Sequence, residues 1–137
     1  MPKEKSYGVI LFKDDKYLLL KHADGGHWGA PKGGMTKDEG ELQAAIREVA
    51  EETGLGGVRI IGEFREIDRY RFNRNGKEIS KKVIYYLGSV SRDSVVLSPE
   101  HTDFRWADID EAVELATYDG TKKLLKAADR FLRDRKT

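Results

Sequence analysis

Hydrophobic residues near the start of the chain fall into two short runs. Residues 7–12 and 17–20 are rich in aliphatic and aromatic side chains, and the polar pair Asp14-Asp15 lies between them. This pattern predicts two strands joined by a tight turn. Residues 22–37 then contain five glycines and Pro31. Such a composition disfavours both helix and strand, so it predicts a long loop.

The segment 38–52 repeats apolar residues at intervals of three and four, which predicts a helix. Thr36 or Asp38 is expected to cap its start, because short polar side chains accept hydrogen bonds from the first free backbone N–H groups. Gly54 is expected to end it. The apolar positions are Leu42, Ala45, Ile46 and Val49.

The second half of the chain predicts a hairpin, a short strand and two helices. Residues 58–61 and 64–70 have extended patterns, and residues 83–90 are expected to return antiparallel after the turn signal Asn75-Gly76. Residues 104–106 predict the last strand, and the helices are expected at 109–116 and 120–132. This mixed order predicts an α/β fold in which helices cover both faces of a sheet.

Composition narrows the class of protein. A chain of 137 residues with 39% hydrophobic residues predicts a single domain, 1–137. The absence of cysteine excludes disulfides and thiolate metal sites. Apolar runs fall short of the roughly 20 residues of a membrane helix, and no signal pattern follows Met1, so a cytoplasmic protein without membrane contact is expected. A net charge of +1 argues against a bulk nucleic-acid binder.

The predicted helix at 38–52 concentrates negative charge, with six acidic residues and one basic residue, Arg47. Glu48, Glu51 and Glu52 occupy positions i, i+3 and i+4, which share a helix face. Carboxylates on one face repel each other, and the helix dipole further disfavours negative charges near the C-terminus of a helix. A hard divalent cation, Mg²⁺ or Mn²⁺, would relieve it and leave coordination positions for water and phosphate.

The spacing around this helix is similar to the signature of the Nudix hydrolases. Gly33 is followed by five residues, Glu39, seven residues, and then Arg-Glu-Val-Ala-Glu-Glu-Thr-Gly-Leu at 47–55. The resemblance implies an α/β/α sandwich in which this box forms a loop, a helix and a loop. It also implies roles for single residues: Glu48 and Glu52 as metal ligands, Glu51 as a further ligand or activator of water, Arg47 as the residue that orients the glutamates, and Gly33, Glu39 and Gly54 as shaping residues.

The residues before the box resemble one group of this family, the asymmetrical diadenosine tetraphosphate hydrolases. Residues 27–34 read His-Trp-Gly-Ala-Pro-Lys-Gly-Gly, and the likeness continues through 83–87, 97–101, 105–106 and 115–118. It implies that Glu100 lies near the metals and that Tyr85 and Tyr118 sandwich an adenine. Lys32 can neutralise phosphate oxygens, and His27 can donate to a phosphate or act as an acid.

Residues 65–82 carry seven basic residues against three acidic ones, and a hairpin would present many of them at one end. Lys81 and Lys82, just before the strand that bears Tyr85, are the stronger candidates for contact with phosphate. Two departures from the group leave the choice of substrate more open than the chemistry. Gly34 replaces a histidine that many members carry, and 35–37 lacks their Pro-Gly.

The resemblance, together with these features, implies a metal-dependent hydrolase that splits diadenosine tetraphosphate into ATP and AMP by attack of water on phosphorus. Two or three Mg²⁺ ions, held by Glu48, Glu51, Glu52 and Glu100, are expected with the substrate, and Glu51 or Glu100 is expected to accept the proton. The alternatives are an RNA 5′-end pyrophosphohydrolase, a diphosphoinositol polyphosphate hydrolase and a non-catalytic nucleotide sensor. The oligomeric state is left open between a monomer and a homodimer.

Overall fold

The computed structural model describes residues 1–135. Seven strands and three helices follow in mixed order, and their bounds extend most of the predicted segments by a few residues. They are β1 Lys3–Lys13, β2 Lys16–His22, β3 Trp28–Gly29, β4 Lys32–Gly33, α1 Glu41–Thr53, β5 Arg59–Arg74, β6 Lys77–Ser89, β7 His101–Ala107, α2 Ile109–Leu115 and α3 Asp119–Arg135.

The strands form a mixed sheet in the order β3-β2-β1-β6-β5, while β4 pairs with β1 and β7 pairs with β2. The β1–β6 pair is parallel and sets Gly8 opposite Tyr85. The other pairs are antiparallel, including the long β5–β6 hairpin, which turns at Asn75 and Gly76. A parallel pair at the centre requires a long connection, and here that connection contains α1.

Alternating side chains of the sheet build a separate core on each face. Val9 and Leu11 of β1 pack with Ala45 and Val49 of α1. Ile10, between them, points to the other face, where it joins a core that includes α2 and α3. The predicted α/β/α sandwich is therefore confirmed. None of the helices in residues 1–135 has both the length and the apolar character needed to cross a membrane.

The predicted start of the acidic helix is wrong by three residues. Helix α1 begins at Glu41, and its N-cap is Gly40, whose N–H donates to the Gln43 side chain at 3.0 Å. Asp38 has a φ of 67° and stays outside the helix. Thr36 does not cap the helix either. Its backbone N–H and its hydroxyl both donate hydrogen bonds to the Glu39 carboxylate, at 3.0 and 3.1 Å. The predicted end is confirmed, since Gly54 is the C-cap at a φ of 72°.

Two other predictions change. The glycine-rich segment 22–37 is mostly loop but contains the short strands β3 and β4, which form through pairing with β2 and β1. The segments 58–61 and 64–70 are parts of one strand, β5, with an irregular register between Ile60 and Arg65. Gly62, at a φ of 51°, lies in that irregularity, where glycine tolerates a backbone that other residues resist.

Candidate metal and nucleotide site

The last two turns of α1 bring the carboxyl groups of Glu48 and Glu52 together beneath strand β4. Only 5% of the Glu52 side chain is exposed, and 13% of that of Glu48. Glu52 Oε1 accepts a hydrogen bond from the backbone N–H of Lys32 at 3.3 Å. Two acidic groups are thus held side by side at the junction of the helix and the sheet.

The environment of Glu52 disfavours its negative charge. Burial raises its pKa well above the usual range, and the neighbouring Glu48 carboxyl, which hydrogen-bonds with it, raises the pKa further. The Lys32 N–H acts in the opposite direction, while the charge of Glu100 adds to the repulsion. A buried carboxyl pair of this kind is a good donor set for a hard divalent cation, which would replace the shared proton.

Arg47 connects the residues around this pair. Its Nε donates to Glu39 at 2.6 Å, and one terminal nitrogen donates to Glu48 at 2.9 Å and to Glu51 at 3.0 Å. The other terminal nitrogen donates to the Gly34 carbonyl at 2.7 Å. Contact with Arg47 lowers the pKa of Glu39 to about 2. Arg47 therefore links the loop before α1 to the acidic face of the helix.

Glu51 is oriented differently from its two neighbours. Its side chain is 55% exposed and contacts Arg47, whereas Glu48 and Glu52 face each other. The helical spacing predicts three converging carboxylates, and the structure brings together two of them. Arg47, at the i−4 position, donates to both Glu48 and Glu51 and so links the exposed carboxylate to the pair.

Gly33 leaves the space that the Glu48 carboxyl occupies. A Cβ atom built at position 33 overlaps with the carboxyl carbon and both oxygens of Glu48. The next residue, Gly34, has open space around the same position. Glycine at 33 is therefore required by a close approach of backbone and side chain.

A cavity of about 660 Å³ opens beside Glu52. Its wall has a strongly cationic part formed by Lys32, Lys81 and arginines of β5. Burial and the nearby Lys81 charge lower the pKa of Lys32, as expected for two cations held close together. The predicted site residues that line the cavity are His27, Lys32, Glu52, Lys81, Tyr85 and Tyr118.

Lys82 and Glu100, which are predicted to contact substrate or metal, do not line the cavity. Adjacent side chains of a strand point to opposite faces, so Lys82 lies on the face opposite Lys81. It shares that face with Ile84 and Tyr86. Glu100 is exposed in the loop before β7 and does not line the cavity. Its charge still acts on both Lys32 and Glu52, which places it near the acidic pair.

The basic residues of the β5–β6 hairpin are largely paired with carboxylates. Arg65 contacts Glu41 at 3.2 Å, and Arg71 contacts Glu78 at 3.3 Å. Both Arg74 and Lys81 contact the single carboxylate of Glu4, Lys81 at 3.5 Å. The hairpin thus has less free positive charge than the sequence alone indicates.

The tyrosines of the cavity differ in exposure, and this decides which can contact a planar ligand. Tyr85 is 4% exposed, and its ring packs where Gly8 has no side chain. Tyr118 is 57% exposed and Tyr70 is 39% exposed, and both line the cavity. Tyr70 is not among the site residues predicted from the sequence. The alternation of β5 carries a signal for it, because Tyr70 lies opposite Lys81 in the hairpin register.

All three histidines of the chain meet at one wall of the cavity. The rings of His22 and His27 stack with centroids 4.4 Å apart, and His101 meets His22 edge-on at 5.0 Å. Nε2 of His101 lies 3.8 Å from Glu52 Oε1. Burial lowers the pKa of His27 and of His101, which favours the neutral rings. His22 is a second cavity residue that is not among those predicted from the sequence.

The raised pKa of Glu52 predicts a specific pH dependence of stability. A carboxyl whose pKa rises on folding contributes stability that is full below its unfolded pKa of 4.5 and is lost as pH increases through the folded value of about 9. The metal-free protein is therefore expected to lose stability between these pH values. Glu52→Gln should remain more stable at pH 9, by at least about 1 kcal/mol or roughly 4 °C in Tm.

Calorimetric unfolding with a chelator, at pH 5 and pH 9, checks this expectation. The difference in Tm between Glu52→Gln and the wild type should be small at pH 5 and large at pH 9. Added Mg²⁺ should stabilise the wild type and have little effect on the variant. Parallel pH profiles for the two proteins would contradict the argument.

Comparison with known proteins gives consistent matches over most of the chain. The family model described as NUDIX domain matches residues 2–128. The asymmetrical bis(5′-nucleosyl)-tetraphosphatase of Rattus norvegicus is 38% identical, over 93% of this chain and 95% of that protein. An RNA pyrophosphohydrolase of Pelagibacter ubique is 30% identical, over 78% of this chain and 77% of that protein. The crystal structure of a C. elegans Ap4A hydrolase binary complex is 31% identical in sequence and has a TM-score of 0.84. The match covers 95% of this chain and 98% of that one.

Proposed function

Because the chain belongs to the NUDIX domain family, we propose that it hydrolyses dinucleoside polyphosphates, splitting diadenosine tetraphosphate into ATP and AMP. One observation carries the proposal. The buried pair Glu48–Glu52 lies beside a cavity that combines cations with exposed aromatic rings. The names of the rat and C. elegans relatives, a bis(5′-nucleosyl)-tetraphosphatase and an Ap4A hydrolase, support this choice of substrate.

Glu48 and Glu52 are proposed as the principal metal ligands, with Glu51 and Glu100 as further ligands. Divalent ions, Mg²⁺ or Mn²⁺ and two or three in number, would supply activation of water and neutralisation of phosphate charge. In residues 1–135, no three acidic or histidine side chains converge closely enough to enclose an ion by themselves. Oxygens of water and substrate are therefore expected to complete the coordination.

Other residues are proposed to bind the polyphosphate and to position the reacting groups. Lys32 and Lys81 would meet phosphate oxygens, because both line the cavity that opens beside Glu52. Arg47 would keep Glu48 in place through its hydrogen bond. Glu51 or Glu100, each outside the tight carboxyl pair, would accept the proton from the attacking water.

Tyr118 and Tyr70 are proposed to bind a nucleobase by stacking, with Tyr85 as a buried support. Stacking on an aromatic ring contributes about 1 to 3 kcal/mol per base. Tyr118→Ala is therefore expected to raise KM for diadenosine tetraphosphate by roughly 5- to 100-fold and to change kcat much less. Steady-state kinetics with HPLC separation of products measures both constants. Val96→Ala, which removes an exposed apolar side chain outside the cavity, should leave KM unchanged.

The RNA pyrophosphohydrolases among the relatives make RNA 5′-end hydrolysis the second candidate function. A panel of diadenosine tetraphosphate, 5′-triphosphorylated RNA, a diphosphoinositol phosphate and a nucleotide sugar, each assayed with Mg²⁺, separates the candidates by product. Release of ATP with the highest kcat/KM is the expected result. Faster release of pyrophosphate from RNA would replace the proposal with the second candidate. Binding of the dinucleotide without product would indicate a sensor.

A further inference from the structure

Asp68 is a carboxylate among the lysines and arginines that form part of the cavity wall. It lies on β5 opposite Val83, two residues before Tyr70, so both side chains point to the same face of the sheet. Both line the cavity beside Glu52. At the start of α3, a Cβ built on Gly120 would lie 2.5 Å from Oδ1 of Asp68. The carboxyl group is thus enclosed between the strand and the first turn of the helix.

Within residues 1–135, neither a backbone N–H nor a side chain donates a hydrogen bond to the Asp68 carboxylate. Lys32 and Lys123 act on it electrostatically without forming an ion pair. Burial raises its pKa, and these two lysines lower it. Asp68 is therefore an acceptor aimed into the cavity without a partner in the described chain.

A carboxylate without a hydrogen-bond partner in the described chain favours hydrogen-bond donors over phosphate at its own position. Phosphate groups would be repelled by Asp68 and attracted by Lys32 and Lys81, which line the same cavity. The space beside Asp68 and Tyr70 is instead suited to the uncharged part of a nucleotide. An exposed aromatic ring there can stack on a base while the carboxylate contacts its edge.

The donor pattern of the bases decides which edge fits. An ionised carboxylate has two acceptor oxygens and no donor. Guanine presents two adjacent donors, N1–H and the 2-amino group, which can bind both oxygens at once. Adenine presents one amino donor next to the acceptor N1, so one carboxylate oxygen would face a lone pair. Buried sites that pair fully with one ligand discriminate strongly against ligands that leave a group unpaired.

We propose that Asp68 binds the N1–H and 2-amino groups of a guanine, so that dinucleoside polyphosphates with at least one guanosine are favoured over diadenosine ones. This inference rests on the proposed function and deepens it, because it names the nucleoside that the cavity selects. Asp68 is a specificity-determining residue in this assignment and takes no part in the attack on phosphorus.

Binding of nucleoside diphosphates tests the assignment without relying on turnover. Calorimetric titration of the wild type should give a dissociation constant for GDP at least tenfold below that for ADP. IDP, which keeps N1–H and lacks the 2-amino group, should lie between them. Asp68→Asn has nearly the same shape but offers one donor and one acceptor, the pair that matches adenine. It should lower the GDP-to-ADP preference by at least tenfold.

The matched control is Glu66→Gln, which removes one charge from the same strand at an exposed residue outside the cavity. It should preserve the wild-type preference. Equal binding of GDP, IDP and ADP by the wild type would overturn the inference whether or not Asp68→Asn folds. An unchanged preference in a folded Asp68→Asn would overturn it as well.

Parallel hydrolysis assays with diadenosine and diguanosine tetraphosphate keep the two proposals distinguishable. If the wild type cleaves both at equal kcat/KM and Asp68→Asn does the same, the inference fails while the proposed function stands. If the wild type cleaves neither but binds GDP in preference to ADP, the proposed function fails and the role of Asp68 in base selection stands. Cleavage of diguanosine tetraphosphate at the higher kcat/KM, lost in Asp68→Asn, supports both.

Discussion

Glu52→Gln is expected to lower kcat by about 1000-fold or more, which corresponds to roughly 4 kcal/mol of activation free energy. Glutamine keeps the shape of the side chain and the acceptor for the Lys32 N–H, which lies 3.3 Å from Glu52 Oε1. It removes one charge of the Glu48–Glu52 pair and with it one of the two principal proposed metal ligands. Steady-state kinetics with diadenosine tetraphosphate and saturating Mg²⁺ measures the loss.

The matched control is Glu41→Gln, at the other end of helix α1. Glu41 contacts Arg65 and Tyr86 and does not line the cavity. The Glu41→Gln variant loses the same charge as Glu52→Gln and should retain activity within a few-fold of the wild type. If Glu52→Gln remains within tenfold of the wild type while it is well folded, Glu52 is not a metal ligand and the assignment of the site must be abandoned.

The sequence predicts the acidic helix well because its information is local. Helical spacing places Glu48, Glu51 and Glu52 on one face, and Gly54 ends the helix as expected. The spacing does not predict that Arg47 contacts both Glu48 and Glu51 while only Glu48 faces Glu52. The position of the Arg47 guanidinium depends on the loop before the helix, where Glu39 and Gly34 accept its other hydrogen bonds. Spacing within the helix contains no information about this loop.

The composition of the cavity was harder to predict because it depends on strand register and on contacts between distant elements. Tyr85 and Tyr70 are both tyrosines of the hairpin, yet only Tyr70 has an exposed ring. Tyr85 is buried because it lies opposite Gly8 in the parallel β1–β6 pair. Lys82 differs from Lys81 only by the alternation of β6. A one-residue change of register would exchange their faces.

His22 and Asp68 illustrate a different limit of prediction from sequence. Neither belongs to a motif, and each becomes chemically interesting only through a remote neighbour. His22 stacks on His27 and meets His101, which belongs to β7. Asp68 lies against Gly120 at the start of α3. Gly120 follows Asp68 by 52 residues, so no local pattern relates the two.

Gly33→Ala is expected to lower kcat by about 100-fold, although it adds a single methyl group. The added Cβ would overlap with the carboxyl group of Glu48. Glu48 would have to rotate away, which would break its contact of 2.9 Å with Arg47 and separate it from Glu52. Displacement of a reacting or positioning group by about 1 Å costs on the order of 100-fold in rate.

Gly34→Ala is the matched control for this prediction, because a Cβ at position 34 meets open space. It should retain nearly full activity, and its carbonyl can still accept from Arg47, now at 2.7 Å. Comparison of the two variants separates a general effect of replacing glycine from displacement of Glu48. Neither Gly33 nor Gly34 has a positive φ, so alanine fits the backbone equally well at both positions. Raising Mg²⁺ should recover part of the activity of Gly33→Ala, because a weakened ligand set binds the ion less tightly. Equal activities of the two variants would show that the position of Glu48 does not control the rate.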